Sequence, residues 1–224
     1  MTRSVWRASV IAAVVVTAGA ACGGTAGPNP PAVSPQAAAP SSSGAQANRN
    51  RRPVGAADVR FMTSMIPHHA QAVLFSGWAA SHGAGRAVRV LCERIVVAQT
   101  DEIATMRTWL EDLGEPVPAA DAMHASMMMD GMRHEMTMPG MLTDEQLAEL
   151  DAARDSEFDR LFLTFMIQHH EGALTMVDDL FTSYGGAQDD MVFKLASDIY
   201  ADQSTEIERM QSMLDARLPG GDGP

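Results

Sequence analysis

Cysteine is nearly absent. The 224 residues include only Cys22 and Cys92, so no disulfide framework can be built. Basic charge is scarce as well: 16 Lys and Arg stand against 28 Asp and Glu, a formal net charge of −12. That balance excludes nucleic acid as a partner, because phosphate binding needs a basic surface. Alternating runs of β-branched residues are almost missing beyond residue 56, so strands are not needed to account for the chain. The one long apolar run, Ala8 to Ala21, is short for a membrane span. Hydrophobic residues nevertheless make up 46%, enough for a proper core, and the length allows one ordinary domain plus tails.

What is abundant is methionine, at 17 residues, and a histidine motif that occurs twice. Met65-Ile66-Pro67-His68-His69-Ala70-Gln71-Ala72-Val73 returns 101 positions later as Met166-Ile167-Gln168-His169-His170-Glu171-Gly172-Ala173-Leu174. Four of the seven histidines lie in these two pairs, which points to an internal duplication with imidazoles in its core.

The N-terminus reads as an address and a tether. Residues 1–21 have a basic start (Arg3, Arg7) and an apolar run ending in small residues, the layout of a secretory signal. Ala18-Gly19-Ala20-Ala21-Cys22-Gly23 resembles the bacterial lipoprotein cleavage box, in which the cysteine is acylated, although Gly19 stands where that box usually carries leucine. Residues 22–55 then form a Pro/Ala/Ser-rich stretch that cannot bury enough apolar surface to fold and acts as a spacer. It ends in Arg49, Arg51 and Arg52. The expectation is an exported lipoprotein, held by a lipidated Cys22 at the outer face of the cytoplasmic membrane.

From residue 56 to 218 the period is helical. Helices are expected over 57–81, 86–113, 156–184 and 188–218, with Pro67 kinking the first. A Met-rich connection at 114–142 joins the halves, followed by a short helix capped by Thr143 with Gln146 reaching back. The second and fourth helices also match: Gln99-x-x-Glu102-Ile103-x-x-Met106 returns as Gln203-x-x-Glu206-Ile207-x-x-Met210. Two repeated helical hairpins close most simply into an all-α four-helix bundle.

At 100° per residue, Val88, Leu91, Cys92, Ile95, Gln99, Glu102, Met106 and Leu110 share one stripe, and Val192 to Leu214 repeat it. His69 and His170 fall at the centre of their faces and should meet Glu102 and Glu206. His68 and His169 flank them toward the edge, on the side of Phe61 and Phe162. Buried carboxylates need compensation. Two readings account for this. One is a buried polar network of histidine and glutamate that fixes helix register. The favoured one is a shared metal site of His68, His69, Glu102, His169, His170 and Glu206, with Gln99, Gln203, Met65, Met166, Met106 and Met210 beside it. This mixed donor set does not select the ion, so copper, iron, manganese and zinc all stay open.

A second, softer site is expected in the connection. Met123, His124, Met127, Met128, Met129, Met132, His134, Met136, Met138 and Met141 place thioethers and imidazoles at short spacings, and thioether sulfur favours Cu(I) or Ag(I). The plainer alternative is an apolar loop packed over the bundle end. Cys92 reads as buried filler, and Asp189-Asp190 as solvated charges at a helix start.

The doubled Phe-x-x-x-Met-Ile-x-His-His-x-x-Ala pattern and the doubled Gln-x-x-Glu-Ile-x-x-Met resemble the domain-of-unknown-function family 305 over residues 57–216. That resemblance implies a ferritin-like bundle, usually exported, with some members binding copper or silver and contributing to copper tolerance. It implies no established catalytic reaction. A ferritin-type di-iron centre uses Glu-x-x-His on two helices, whereas here histidines and glutamates lie on different helices. The function expected is buffering or sequestration of copper or silver by a membrane-tethered protein. A ferritin-like metal-dependent redox enzyme and a metal-free envelope interaction module are the alternatives.

Overall fold

The computed structural model describes residues 54–119, 126–129, 132–135 and 138–217, the two short central stretches as backbone. The signal segment, Cys22, the spacer as far as residue 53, Met123, His124 and Met136 lie outside the described residues. Among these residues there are five helices: α1 (Ala56–Ser76), α2 (Arg86–Leu113), α3 (Asp144–Ala152), α4 (Asp155–Thr182) and α5 (Asp190–Asp215). The four long ones form the bundle. α1 packs on α2, α4 packs on α5, and the two hairpins meet through α1 and α4.

α1 is shorter than the sequence pattern suggested. After Ser76 the chain loosens into i→i+3 turns, with Trp78 N–H donating to the Phe75 carbonyl and Ala79 N–H to that of Ser76. Gly83, at φ 72°, then reverses the chain into α2. Pro67 lies within α1 without ending it. Thr143 caps α3 as expected, accepting from Gln146 N while the Gln146 side chain accepts from Thr143 N. The connection departs from the strand-free expectation. Ser126–Met129 and Met132–Glu135 pair as an antiparallel two-stranded hairpin, in a register that sets Met127 opposite His134 and Met129 opposite Met132.

The core is split in two by a polar layer. One apolar half gathers Phe61, Met62, Met65 and Ile66 of α1, Met106, Trp109 and Leu110 of α2, Ala173 to Leu180 of α4, and Val192 to Ile199 of α5. The other gathers Ala72 and Phe75 of α1, Val88 to Ile95 of α2, Phe158 to Met166 of α4, and Met210 of α5. Every long helix therefore crosses from one half to the other, and each does so at its histidine pair or its Gln-x-x-Glu. Burial of these side chains supplies the driving force, at roughly 1.5–3 kcal/mol for each large aliphatic or aromatic one.

Each hairpin also latches onto the other. Asp58 at the start of α1 is buried and accepts from Ala187 N (2.6 Å) in the α4–α5 turn and from Gly55 N (3.1 Å). Its duplicate Asp159 in α4 accepts from Gly85 N (3.0 Å) in the α1–α2 turn and pairs with Arg217 (2.5 Å) beyond α5. At the start of α5, Asp189 is not the solvated charge its sequence position implied. It is buried, caps Met191 N and Val192 N, and accepts the indole N–H of Trp109 (3.2 Å).

Candidate metal centre

α1 carries His68 and His69 into the polar layer, and α4 carries His169 and His170. All four are fully buried. His69 Nε2 lies 2.8 Å from Glu102 Oε2, and His170 Nε2 lies 2.8 Å from Glu206 Oε2. The expected meeting of central histidine and glutamate is thus present in both halves. Only the His170 contact has the alignment of an N–H donating to a carboxylate. The His69 contact lies outside that geometry despite its length, and its Nε2 is without a hydrogen-bond partner in the protein. The glutamates are not wholly buried: their side chains keep 16% and 18% exposure, so this side of the layer touches solvent.

His68 and His169 do not sit at an edge. Their rings meet across the α1–α4 interface with centroids 3.9 Å apart and planes tilted by 42°, and Phe75 closes on His169 edge-on at 5.8 Å. The reason is that α1 and α4, not α1 and α2, bring the two copies of the motif face to face. His68 Nε2 is 3.0 Å from the Pro139 carbonyl, which can only accept, so the proton is assigned to Nε2 and Nδ1 is left as a bare lone pair.

His68, His169 and His170 are held neutral. Burial pushes the His68 pKa down to about 3, helped by neighbouring His69 and His170 and opposed by the Pro139 carbonyl. Burial lowers His169 well below the ordinary range, reinforced by His68, His170 and His69. Burial also lowers His170, with Glu206 pulling the other way. Neutral imidazole is the form that ligates metals.

Gln99 and Gln203, three residues before the two glutamates, are buried with neither amide atom partnered in the protein. Of the eleven buried side-chain N and O atoms without a hydrogen-bond partner among the described residues, ten belong to these two glutamines and the four histidines. Native interiors pair nearly all such atoms, and each orphan costs about 1–3 kcal/mol. The orphans converge on one layer.

Soft donors flank the layer symmetrically. Met65 and Met106 lie in one apolar half, Met166 and Met210 in the other, all fully buried. Among the described residues no three His, Cys, Asp or Glu side chains are gathered closely enough to cage one ion. What the layer provides is a set of neutral nitrogen, amide and thioether donors with two carboxylates at the rim. Of the ten residues assigned to a second soft site, Met138 and Met141 are buried in the same apolar cluster as Met65. The hairpin positions are defined as backbone alone.

Sequence reasoning missed the segment 138–142, which straps the α1–α4 face. Gln71 donates through Nε2 to the Leu142 carbonyl (3.0 Å) and accepts from Leu142 N (2.8 Å) through Oε1. Gln168 donates to the Gly140 carbonyl at 3.4 Å. A Cβ on Gly172 would lie 2.0 Å from the Pro139 oxygen, so only glycine admits the strap there. The signal was the break in the repeat, Gln71 against Gly172. His82, read only as a helix stop, is buried and ties the exit of α1 to the end of α3 through Asp151 Oδ1 (3.0 Å). A surface groove of about 410 Å³ between α1 and α4, at Ala57, Phe61, Met176 and Leu180, contains none of the histidines.

The sequence model of the family described as "Domain of unknown function (DUF305)" matches residues 58–214. Solved structures agree. A DUF305 protein from Streptomyces coelicolor, described as secreted, is 27% identical with a TM-score of 0.62, over 72% of this chain and 93% of that one. A DUF305 fragment from Deinococcus radiodurans is 28% identical with a TM-score of 0.60, over 75% of this chain and 100% of that one. CopM in its Cu(II)-bound form is 31% identical with a TM-score of 0.57, over 72% of this chain and 97% of that one. CopM has also been solved in Cu(I)-bound and Ag-bound forms. No curated protein sequence matches the chain.

Proposed function

The chain belongs to the DUF305 family, and on that premise we propose that it binds a soft metal ion, copper or silver, in the polar layer and buffers it outside the cytoplasm. The observation that carries this reading is six lone pairs left bare on one buried layer between four methionines: one on each imidazole, in its neutral form, of His68, His69, His169 and His170, and the amide oxygens of Gln99 and Gln203. No more than two of the imidazoles of His68, His69, His169 and His170 would hold one ion together, with Gln99, Gln203 and the thioethers of Met65, Met106, Met166 and Met210 completing its surroundings. The lone pairs that the protein leaves bare would be satisfied by a Cu(I) or Ag(I) ion, which would be held and not used for proton chemistry. Neutral nitrogen and sulfur donors suit such ions better than Ca²⁺ or Mg²⁺.

Relatives support the choice of ion: CopM is similar in fold and sequence and has been solved with Cu(I), Cu(II) and Ag. Export and a lipid anchor at Cys22 belong to the same proposal. They rest on the signal layout and on the secreted description of the Streptomyces relative. No described helix is long and apolar enough to cross a membrane, so an anchor of this kind is the attachment proposed. A di-iron oxidase is the weaker reading, since the layer offers carboxylates only at Glu102 and Glu206, and glutamines occupy the neighbouring places.

Metal analysis of the full chain purified from the envelope of copper-exposed cells tests this. The expected result is bound copper, with added Cu(I) or Ag(I) raising the unfolding temperature of the apo-protein by mass action. Bound iron or manganese with catalytic turnover would favour the redox alternative. No metal and no stabilisation by any ion would favour a purely structural layer.

A further inference from the structure

The two faces of the histidine layer differ. On the α1–α4 face the 138–142 strap is fastened by both Gln71 hydrogen bonds, by Pro139 on His68 and by the backbone contact between Gly140 and Gly172. The strap's own Met138, Met141 and Leu142 are buried. On the α2–α5 face, Glu102 and Glu206 reach from the layer to solvent. One helical turn before them stand Gln99 and Gln203, more than nine-tenths buried and with both amide atoms unpartnered.

The outer rim of that second face is asymmetric. At i, i+4 spacing α5 presents Lys194, Asp198, Asp202 and Glu206, whereas the matching positions of α2 are Val90, Arg94, Ala98 and Glu102. Residues four apart are neighbours on a helix surface. Lys194 is paired with Asp198, which leaves Asp202 as the next negative charge outward from Glu206. Asp202 is exposed, and it also lies within electrostatic reach of Glu102 across the gap. Its own carboxyl is raised, first by partial burial and then by Glu102 and Glu206, while Arg94 pulls it down.

We propose that a cation reaches the histidine layer through the α2–α5 face, captured by the exposed Asp202 and passed between Glu102 and Glu206, while the strap keeps the α1–α4 face shut. This rests on the metal-binding reading above. Asp202 is a capture residue and not a ligand: it shortens the search by raising the local cation concentration, an effect that salt screens.

The test uses the full chain and silver nitrate in chloride-free buffer. Stopped-flow mixing measures how fast Ag(I) is taken up from a competing chromogenic chelator. D202N is expected to slow uptake about three- to tenfold at low ionic strength, the difference vanishing near 1 M salt, where the screening length is about 3 Å. Q71A, which loosens the strap, is expected to leave the rate unchanged. A D202N rate equal to the parent's overturns the proposal, and so does a Q71A variant that loads faster. Hydrogen exchange on the metal-free chain judges the strap independently. The Leu142 amide should exchange as slowly as the helix core, and exchange at the rate of an open loop overturns the closed face. The number of ions bound at saturation, and its loss in H69A/H170A, reports on the metal-binding reading itself. Failure of that reading is therefore distinguishable from failure of the route.

Discussion

Gln71 and Gly172 occupy the same position of the two repeats and do opposite work on one segment. Gln71 grips both backbone groups of Leu142, at 3.0 and 2.8 Å, while Gly172 withdraws its side chain altogether so that Pro139 and Gly140 can pass. A symmetric duplication has only one connection to seat, so one copy became the clamp and the other the clearance.

G172A should therefore be costly, because the added methyl meets backbone 2.0 Å away that has no flexible end to yield. Overpacking of this kind is expected to cost about 3 kcal/mol, lowering the unfolding temperature by roughly 6–12 °C. Q71A strands the N–H and C=O of Leu142 in the interior and should cost about 1–3 kcal/mol. Circular dichroism melts of the two variants check this. A G172A variant as stable as the parent would mean that the strap does not seat on α4.

The crossed aspartates should behave as independent clasps. D159N breaks a nearly buried pair with Arg217 and weakens the acceptor for Gly85 N, an expected loss of about 2–3 kcal/mol. D58N keeps one good acceptor oxygen for its two N–H donors and should lose about 1–2 kcal/mol. The two latches serve opposite ends of the bundle, so urea denaturation of the double variant should give the sum of the single losses within about 0.5 kcal/mol. A strong departure from the sum would place them in one cooperative network.

The histidine layer sets the response to acid. His68, His169 and His170 have folded-state pKa values below 6.5, His68 at about 3, so above pH 6.5 neither folded nor unfolded chain is protonated at these sites. As pH falls below 6.5 the unfolded chain takes up protons that the folded one refuses. Stability then drops by about 1.4 kcal/mol per pH unit for each such histidine, down to its folded pKa. Urea midpoints of the metal-free protein should be flat above about pH 7 and fall steeply toward about pH 5. A flat profile through that range would show that the imidazoles are not sealed.

Much of this was legible in the chain. The doubled His-His and Gln-x-x-Glu motifs gave the bundle, the duplication and the pairing of His69 with Glu102 and His170 with Glu206, because helical periodicity reports which residues share a face. Periodicity does not report which helices adjoin. For that reason the pattern sets His68 and His169 at an edge, whereas the α1–α4 contact brings their rings together at the centre. Asp58 and Asp159 also repeat in sequence, as Asp-x-x-Phe before each histidine pair. The partners that join the halves, Ala187 N and Gly85 N, are backbone amides in the opposite hairpin, which no local pattern specifies. Asp189 resembled a solvated helix-start charge because its acceptor role toward Trp109, 80 residues away in sequence, is tertiary.

The central claim is that the ion sits among the imidazoles of the polar layer. X-ray absorption at the copper edge of the full chain, loaded with one equivalent of Cu(I), tests it without any substitution. The expected result is nitrogen as the nearest scatterer, together with the outer scattering pattern of imidazole rings. A shell of sulfur alone, with no imidazole signature, would contradict it and move the strongest site to the methionines.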